Sequence, residues 1–122
     1  MHIGQDCSFV VVLTNLPDRE SALTLAGYLL ELRLAACVNV LQSCVSMYHW
    51  RGKTETADEV PVWIKAPAEN YPAIERAIQA RHPYELPEII ALPVLAGHAG
   101  YLEWIATVSR AADGRQSSMD NP

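Results

Sequence analysis

Positive charge is scarce in this sequence. Nine Lys and Arg side chains stand against fourteen Asp and Glu, for a net charge of −5. The only lysines among the nine are Lys53 and Lys65. Proteins that bind nucleic acid usually carry a basic excess or a basic stripe. We therefore expect no nucleic acid among the partners of this protein.

Long hydrophobic runs and paired cysteines are also missing. No apolar run approaches the ~20 residues that a membrane-spanning helix requires, and the first residues, MHIGQDCSF, lack the pattern of a signal peptide. The cysteines Cys7, Cys37 and Cys44 are odd in number and show no CxxC spacing. This speaks against a disulfide framework and against a structural zinc site. We expect a cytoplasmic protein without a membrane partner.

The common catalytic motifs are absent as well. The sequence has no Gly-rich phosphate loop, no GxSxG and no HExxH. No set of nucleophile, base and oxyanion donor can be assembled from what remains. We therefore expect no catalytic residues, no enzymatic activity and no organic cofactor.

The composition itself is that of one globular domain. The 122 residues are 50% hydrophobic and 19% charged, which gives enough apolar surface for a single core. We expect a flexible leader at residues 1–7, a folded domain at 8–110 and a polar, flexible tail at 111–122.

Hydrophobic periodicity predicts four strands and three helices within that domain. The strand at 37–50 is expected to bend near Ser43, and Gly52 is suited to the turn that follows it. Asp18 is expected to cap the first helix, and the pair His82–Pro83 to end the second. The predicted strands are 8–14, 37–50, 59–66 and 88–95, and the predicted helices are 18–32, 68–81 and 99–110.

This order, βαββαβ with an additional C-terminal helix, predicts an α+β fold of the ferredoxin-like sandwich type with a long hairpin between the second and third strands. Two helices would cover only one face of the sheet, although the strands are apolar almost throughout. Uncovered apolar sheet is a liability. Self-association into a symmetric homo-oligomer is therefore expected.

A proline-stiffened loop at residues 82–88 contains candidate metal ligands. His82 supplies an imidazole, and Glu85 and Glu88 supply carboxylates, a combination that suits zinc, copper or nickel. The alternative for His82 is that it caps the C-terminus of a helix. The alternative for the two glutamates is that they are solvated.

The hairpin and the third strand contain candidate binding residues. Tyr48 and Trp50 combine large apolar area with a polar group, which is typical of subunit contacts and, less often, of a ligand pocket. Lys65 lies in an otherwise apolar strand, where its ammonium reaches water, pairs with a carboxylate or holds an anionic ligand. Trp63 and Trp104 fit a core or an interface equally well.

Several of these stretches occur in an order that is typical of one family. They are residues 34–40 (LAACVNV), 46–53 (SMYHWRGK), 64–65 (IK), 82–89 (HPYELPEI) and 101–104 (YLEW). In this respect the chain resembles the CutA divalent-cation tolerance family over about residues 8–110.

The resemblance implies a cytoplasmic homotrimer that serves divalent-cation tolerance, with Cu²⁺ or another divalent transition metal bound or sensed. It also implies an alternative, a regulatory trimer similar to the PII proteins that binds a small anionic effector between subunits. Thr14 stands where some bacterial members of the family have a cysteine that contributes to a copper site. By position, the metal ligands would be His82, Glu85 and Glu88, the cleft residues Tyr48, Trp50, Lys65 and Tyr84, and the interface residues Cys37, Asn39, Trp63 and Trp104.

Overall fold

The computed structural model describes residues 7–110, and the expectations for the leader at 1–6 and the tail at 111–122 lie outside the described residues. A short 3-10 turn at Ala68–Asn70 leads into the second helix. The elements in chain order are β1 (Phe9–Leu16), α1 (Arg19–Glu31), β2 (Cys37–Val40), β3 (Cys44–Trp50), β4 (Lys53–Pro67), α2 (Tyr71–Arg81), β5 (Ile90–Pro93) and α3 (Ala99–Val108).

The strands form one antiparallel sheet in the order β2-β4-β1-β5, and β3 pairs with the first half of β4. Helix α1 contacts β1, β2, β4 and α2. The α+β class and the ferredoxin-like arrangement predicted from the sequence are confirmed.

The core lies between the sheet and the helices α1 and α2. Along β1, alternate side chains from Val10 to Leu16 are buried, because successive residues of a strand point to opposite faces. The helix face predicted at Ala22, Leu25, Ala26 and Leu29 is buried, as are Ile74, Ala77 and Ile78 of α2.

The ends of the two core helices form as predicted. Asp18 caps α1, and its Oδ1 accepts a hydrogen bond from the backbone N–H of Ser21 at 2.7 Å. Helix α2 ends at His82, whose backbone is extended, because the residue before a proline avoids the helical region.

The hairpin of β3 and β4 is longer than predicted. Strand β4 begins at Lys53, not at Glu59, and Trp50 pairs with Lys53 across the turn. The turn residues Arg51 and Gly52 both have positive φ, 52° and 81°, as in the tight turns that join antiparallel strands. The prediction missed residues 53–58 because their polar sequence, KTETAD, has no apolar alternation.

A proline explains the break between β2 and β3. Leu41 donates its backbone N–H to the carbonyl of Pro61 at 2.9 Å. In an antiparallel strand the N–H and C=O of one residue point to the same side. Pro61 therefore offers no N–H to pair with the chain at the point where β2 ends. Instead of the bend expected near Ser43, the strand is broken at residues 41–43.

The other face of the sheet is only partly covered. Helix α3 contacts β4 there, and the Lys65 ammonium lies 5.9 Å from the centroid of the Tyr101 ring. Ile105 is the one buried residue among those of α3. Several large apolar side chains stay exposed on this face and on the hairpin: Val45, Met47, Trp63, Leu92 and Trp104.

One buried polar atom in the core has no hydrogen-bond partner in the structure, the Oγ1 of Thr14, whose side chain is 1% exposed. An unsatisfied buried hydroxyl costs about 1–3 kcal/mol. Replacement by valine keeps the shape and removes the hydroxyl. We expect Thr14→Val to raise the free energy of unfolding by about 1 kcal/mol, measured by urea denaturation. The exposed control Thr24→Val should change it little, and a destabilised Thr14→Val would show that the hydroxyl finds a partner.

Candidate acidic cleft

A cavity of about 740 Å³ opens between the β3–β4 hairpin and the loop that follows α2. We call it the acidic cleft. Among residues 7–110, its lining includes three carboxylates and three aromatic side chains and no lysine, arginine or histidine. The lining residues are Asn15, Ser46, Met47, Tyr48, Trp50, Glu59, Tyr84, Glu85, Leu86 and Glu88.

One wall of the cleft comes from the hairpin. Tyr48 and Trp50 lie two residues apart on β3, so their side chains share one face of the strand. Both rings are 42% exposed. Glu59 follows on β4, where it pairs with Cys44, and it is only 9% exposed. The hairpin therefore presents two accessible rings and one nearly buried carboxylate.

The opposite wall is the loop at residues 82–88, which His82 fastens to the end of β1. The His82 side chain is 8% exposed. Its Nε2 lies 2.6 Å from the backbone carbonyl oxygen of Asn15, and its Nδ1 accepts the backbone N–H of Tyr84 at 3.1 Å. These two contacts require a neutral ring with the proton on Nε2, because a carbonyl only accepts and an N–H only donates.

This geometry does not fit His82 as a metal ligand. A metal binds the lone pair of a ring nitrogen, and the lone pair of Nδ1 is already used by Tyr84 while Nε2 carries a proton. The ring also packs against Tyr84, with centroids 4.7 Å apart. The other interpretation, that His82 caps the C-terminus of a helix, fits its position at the end of α2, but its ring bonds Asn15 and Tyr84 as a neutral imidazole and not as a partly positive cap.

The remaining predicted ligands do not supply a metal cluster either. Within residues 7–110, no group of three or more His, Cys, Asp or Glu side chains is placed to hold a metal ion. Glu85 and Glu88 both line the cleft, as the sequence predicted for a common site, but the imidazole that copper prefers is absent from that lining.

Glu88 is held in place and electrostatically perturbed. Its Oε1 accepts a hydrogen bond from the Asn15 side-chain amide at 2.8 Å. Partial burial, and then the negative charge of Glu59, raise the pKa of the Glu88 carboxyl. Two carboxylates that share a region of low dielectric repel each other, so a cation placed in the cleft would relieve this repulsion.

Tyr84 lies near the carboxylate of the opposite wall. Burial, and then the nearby Glu59 carboxylate, raise the pKa of the Tyr84 phenol. The phenol therefore stays protonated at neutral pH.

Lys65 does not line the cleft. It lies in β4 opposite Val11 and Cys37, with its ammonium near the Tyr101 ring. Within one chain, the cleft therefore does not contain the lysine that was predicted to hold an anionic effector. A role for Lys65 between subunits stays a prediction.

Three of the predicted interface residues, Cys37, Asn39 and Trp63, lie on the sheet face that points away from the core, and Trp104 lies on α3, which contacts β4. Cys37 pairs with Lys65, and Asn39 pairs with Trp63, so each pair shares that face. Trp63 and Trp104 are both 44% exposed. Their predicted role in subunit contacts remains a prediction.

Sequence reasoning did not select Asn15, which holds both His82 and Glu88. Its backbone carbonyl accepts a hydrogen bond from the His82 imidazole, and its side-chain amide donates one to the Glu88 carboxylate. An available signal was that β1, FVVVLTNL, contains a single amide side chain near its end. A polar group in an otherwise apolar strand often marks a contact that the strand alone does not explain.

Comparison with known proteins places this chain in a family. The model of the CutA1 divalent ion tolerance protein family matches residues 10–108. The divalent-cation tolerance protein CutA of Pectobacterium atrosepticum is 42% identical over 99 residues, which are 81% of this chain and 90% of the relative. The protein of the same name from Thermus thermophilus is 40% identical, over 78% of this chain and 92% of its own length.

A solved structure shows the same fold. The crystal structure of the stable protein CutA1 from the psychrotrophic bacterium Shewanella sp. SIB1 matches with a TM-score of 0.82 and 40% identity. The match covers 84% of this chain and 96% of that one. The two relatives above are named as tolerance proteins and not as enzymes. With a family model that spans most of the domain and relatives at about 40% identity, the chain belongs to the CutA1 divalent ion tolerance protein family.

Proposed function

We propose that this chain serves divalent-cation tolerance as a cytoplasmic homotrimer, and that the acidic cleft is the place where cations act. The observation that carries the proposal is the charge of the cleft, because the described residues that line it include Glu59, Glu85 and Glu88 and no basic side chain. A cleft lined by charges of one sign and walled by low-dielectric material concentrates ions of the opposite sign.

The mode of cation binding follows from the residues present. Carboxylates suit hard divalent ions such as Mg²⁺ and Mn²⁺, which keep several waters and need only one or two protein oxygens. Copper, the metal predicted first, prefers an imidazole or a thiolate, and the cleft lining contains neither. We therefore propose that Glu85 and Glu88 hold a largely hydrated divalent ion.

The trimer proposal is supported by the apolar side chains left exposed on the sheet and the hairpin, among them Met47 at 75% and Val45 at 68% exposure. Contiguous apolar surface of this kind is typical of protein contacts. A cytoplasmic setting is consistent with Cys7, Cys37 and Cys44, which are all free. Within residues 7–110 no helix is long and apolar enough to cross a membrane.

A titration of the full chain with Mn²⁺ and with Cu²⁺, followed by calorimetry, tests the site. We expect Glu88→Gln to weaken Mn²⁺ binding roughly threefold to tenfold, because one of the nearby charges is lost. Glutamine still accepts the Asn15 hydrogen bond, so the fold should be kept. Equal Mn²⁺ affinity in the variant and the wild type would remove Glu88 from the site.

The control variant is Glu31→Gln, which removes an exposed carboxylate at the end of α1. It changes the net charge by the same amount as Glu88→Gln. Any difference in Mn²⁺ affinity between the two variants therefore reflects the position of the lost carboxylate and not the overall charge of the protein. Its Mn²⁺ affinity should match that of the wild type.

The pH dependence has a defined sign. Because the pKa of the Glu88 carboxyl is raised in the folded protein, Glu88 takes up a proton at a higher pH than an ordinary glutamate does. As the pH is lowered, Mn²⁺ affinity should therefore begin to fall at a pH above the range in which ordinary carboxyl groups take up a proton. The same shift means that ionised Glu88 costs folding stability at neutral pH, so Glu88→Gln should not lower the urea midpoint there.

A further inference from the structure

The acidic cleft is larger than a metal ion requires. Its volume is about 740 Å³, whereas a water molecule occupies about 30 Å³ of liquid. Pockets of roughly 300–1,000 Å³ are typical of sites that enclose small organic molecules. The size of the cleft is therefore a first indication that the occupant is organic.

The aromatic walls give a second indication. Tyr48 and Trp50 on one wall, and Tyr84 on the other, are residues with exposures between 36% and 42%. The face of an aromatic ring attracts a cation, and an ammonium group most effectively when it is partly removed from water. Arg51 already illustrates this attraction, since its guanidinium carbon lies 5.4 Å from the centroid of Trp50, although Arg51 does not line the cleft.

The different origins of the carboxylates give a third. Glu59 lies on β4, whereas Glu88 follows α2 and is held by Asn15 at the end of β1. These side chains do not converge as a metal-ligating group within residues 7–110. A metal ion held entirely by protein needs oxygen atoms at about 2–2.6 Å on several sides, whereas the largely hydrated ion proposed above needs only one or two. An ammonium group spreads its charge over its carbon substituents, so separated carboxylates and ring faces stabilise it together.

We infer that the acidic cleft binds an organic cation, namely an ammonium group carried on a small apolar body. The positive group would lie among the three rings and the carboxylates, and the apolar body would contact Met47 and Leu86, which complete the lining. This inference rests on the proposal that the cleft is a cation site, and it narrows the class of cation.

The test uses two probes that share a shape and differ in charge, choline and 3,3-dimethylbutan-1-ol. Each is titrated into the full chain and followed by calorimetry and by chemical shifts of the backbone amides. We expect choline to bind roughly tenfold or more tightly than the neutral alcohol, with shift changes at residues 46–50 and 84–88. Equal affinity of the two probes, or no binding of choline at millimolar concentration, would overturn the inference.

Two variants of one residue test the role of the ring. Tyr48→Phe keeps an aromatic face and Tyr48→Leu removes it, and both fit an exposed position of β3. We expect Tyr48→Phe to bind choline nearly as the wild type does and Tyr48→Leu to bind it several times more weakly. If both variants bind choline equally, the ring does not contribute and the inference fails.

Parallel titrations with Mn²⁺ separate this inference from the proposed function. Mn²⁺ binding that depends on Glu88, without choline binding, would sustain the cation site and refute the organic ligand. Choline binding that depends on Tyr48 and Glu88, without Mn²⁺ binding, would support the organic ligand and refute the metal part of the proposal.

Discussion

The variant His82→Ala should lose about 2–4 kcal/mol of its free energy of unfolding and keep whatever divalent-cation binding the wild type has. The alanine leaves a space in the packing around a side chain that is 8% exposed. It also leaves the Asn15 carbonyl and the Tyr84 N–H without the imidazole. Urea denaturation measures the first effect, and calorimetry with Cu²⁺ and Mn²⁺ measures the second.

The control for this prediction is His49→Ala, because His49 is exposed on β3. That variant should unfold at nearly the wild-type urea concentration. A histidine that served as a metal ligand would show the opposite behaviour at position 82, with little loss of stability and a complete loss of Cu²⁺ binding. Nitrogen NMR of the imidazole gives an independent check, since the contacts require the proton on Nε2.

The variant Trp104→Glu should convert the proposed homotrimer into monomers at micromolar concentration. Trp104 is 44% exposed on α3, and its ring lies 5.6 Å from that of Tyr101. A carboxylate buried in a subunit contact without a partner costs several kcal/mol, and the symmetry of a trimer repeats that cost in each subunit. Light scattering after size-exclusion chromatography gives the mass directly.

Leu23→Glu is the matched control for the trimer, because Leu23 is 52% exposed but lies on α1, away from the open sheet face. It introduces the same charge and should leave the mass of the assembly unchanged. A wild-type chain that elutes as a monomer, or a Trp104→Glu variant that remains a trimer, would contradict the proposed interface.

The sequence was most informative where hydrophobic periodicity acts alone. The buried face of α1 follows a spacing of three and four residues, and β1 alternates regularly, so both elements and the fold class could be predicted. The extension of β4 back to Lys53 could not, because residues 53–58 are stabilised by backbone pairing with β3 and not by an apolar pattern.

The cleft was predictable in part. Tyr48, Trp50, Tyr84, Glu85 and Glu88 were selected from residue type and resemblance, and the structure brings them to one cavity. The role of His82 was not predictable, because both of its partners are backbone groups, which have no residue-specific signal in a sequence.

The distribution of charge also depended on the fold. Lys65 was expected with Tyr48 and Trp50 in a cleft between subunits, and within one chain its ammonium lies near Tyr101. Because successive residues of a strand alternate between faces, Lys65 shares the open face with Trp63, away from the core side where Ile64 is buried. Among the described residues, the charged side chains that line the cleft are all acidic, which favours a cation over the anionic effector within one chain.

Paramagnetic broadening by Mn²⁺ in the NMR spectrum of the full, nitrogen-labelled chain tests the acidic cleft as the cation site most directly. The method locates even a weakly held ion, because broadening falls off steeply with distance from it. We predict that the amides of residues 46–50 and 84–88 broaden first, and that Glu88→Gln weakens the effect. Broadening centred on another surface, or uniform broadening that Glu88→Gln leaves unchanged, would contradict the assignment of the cleft.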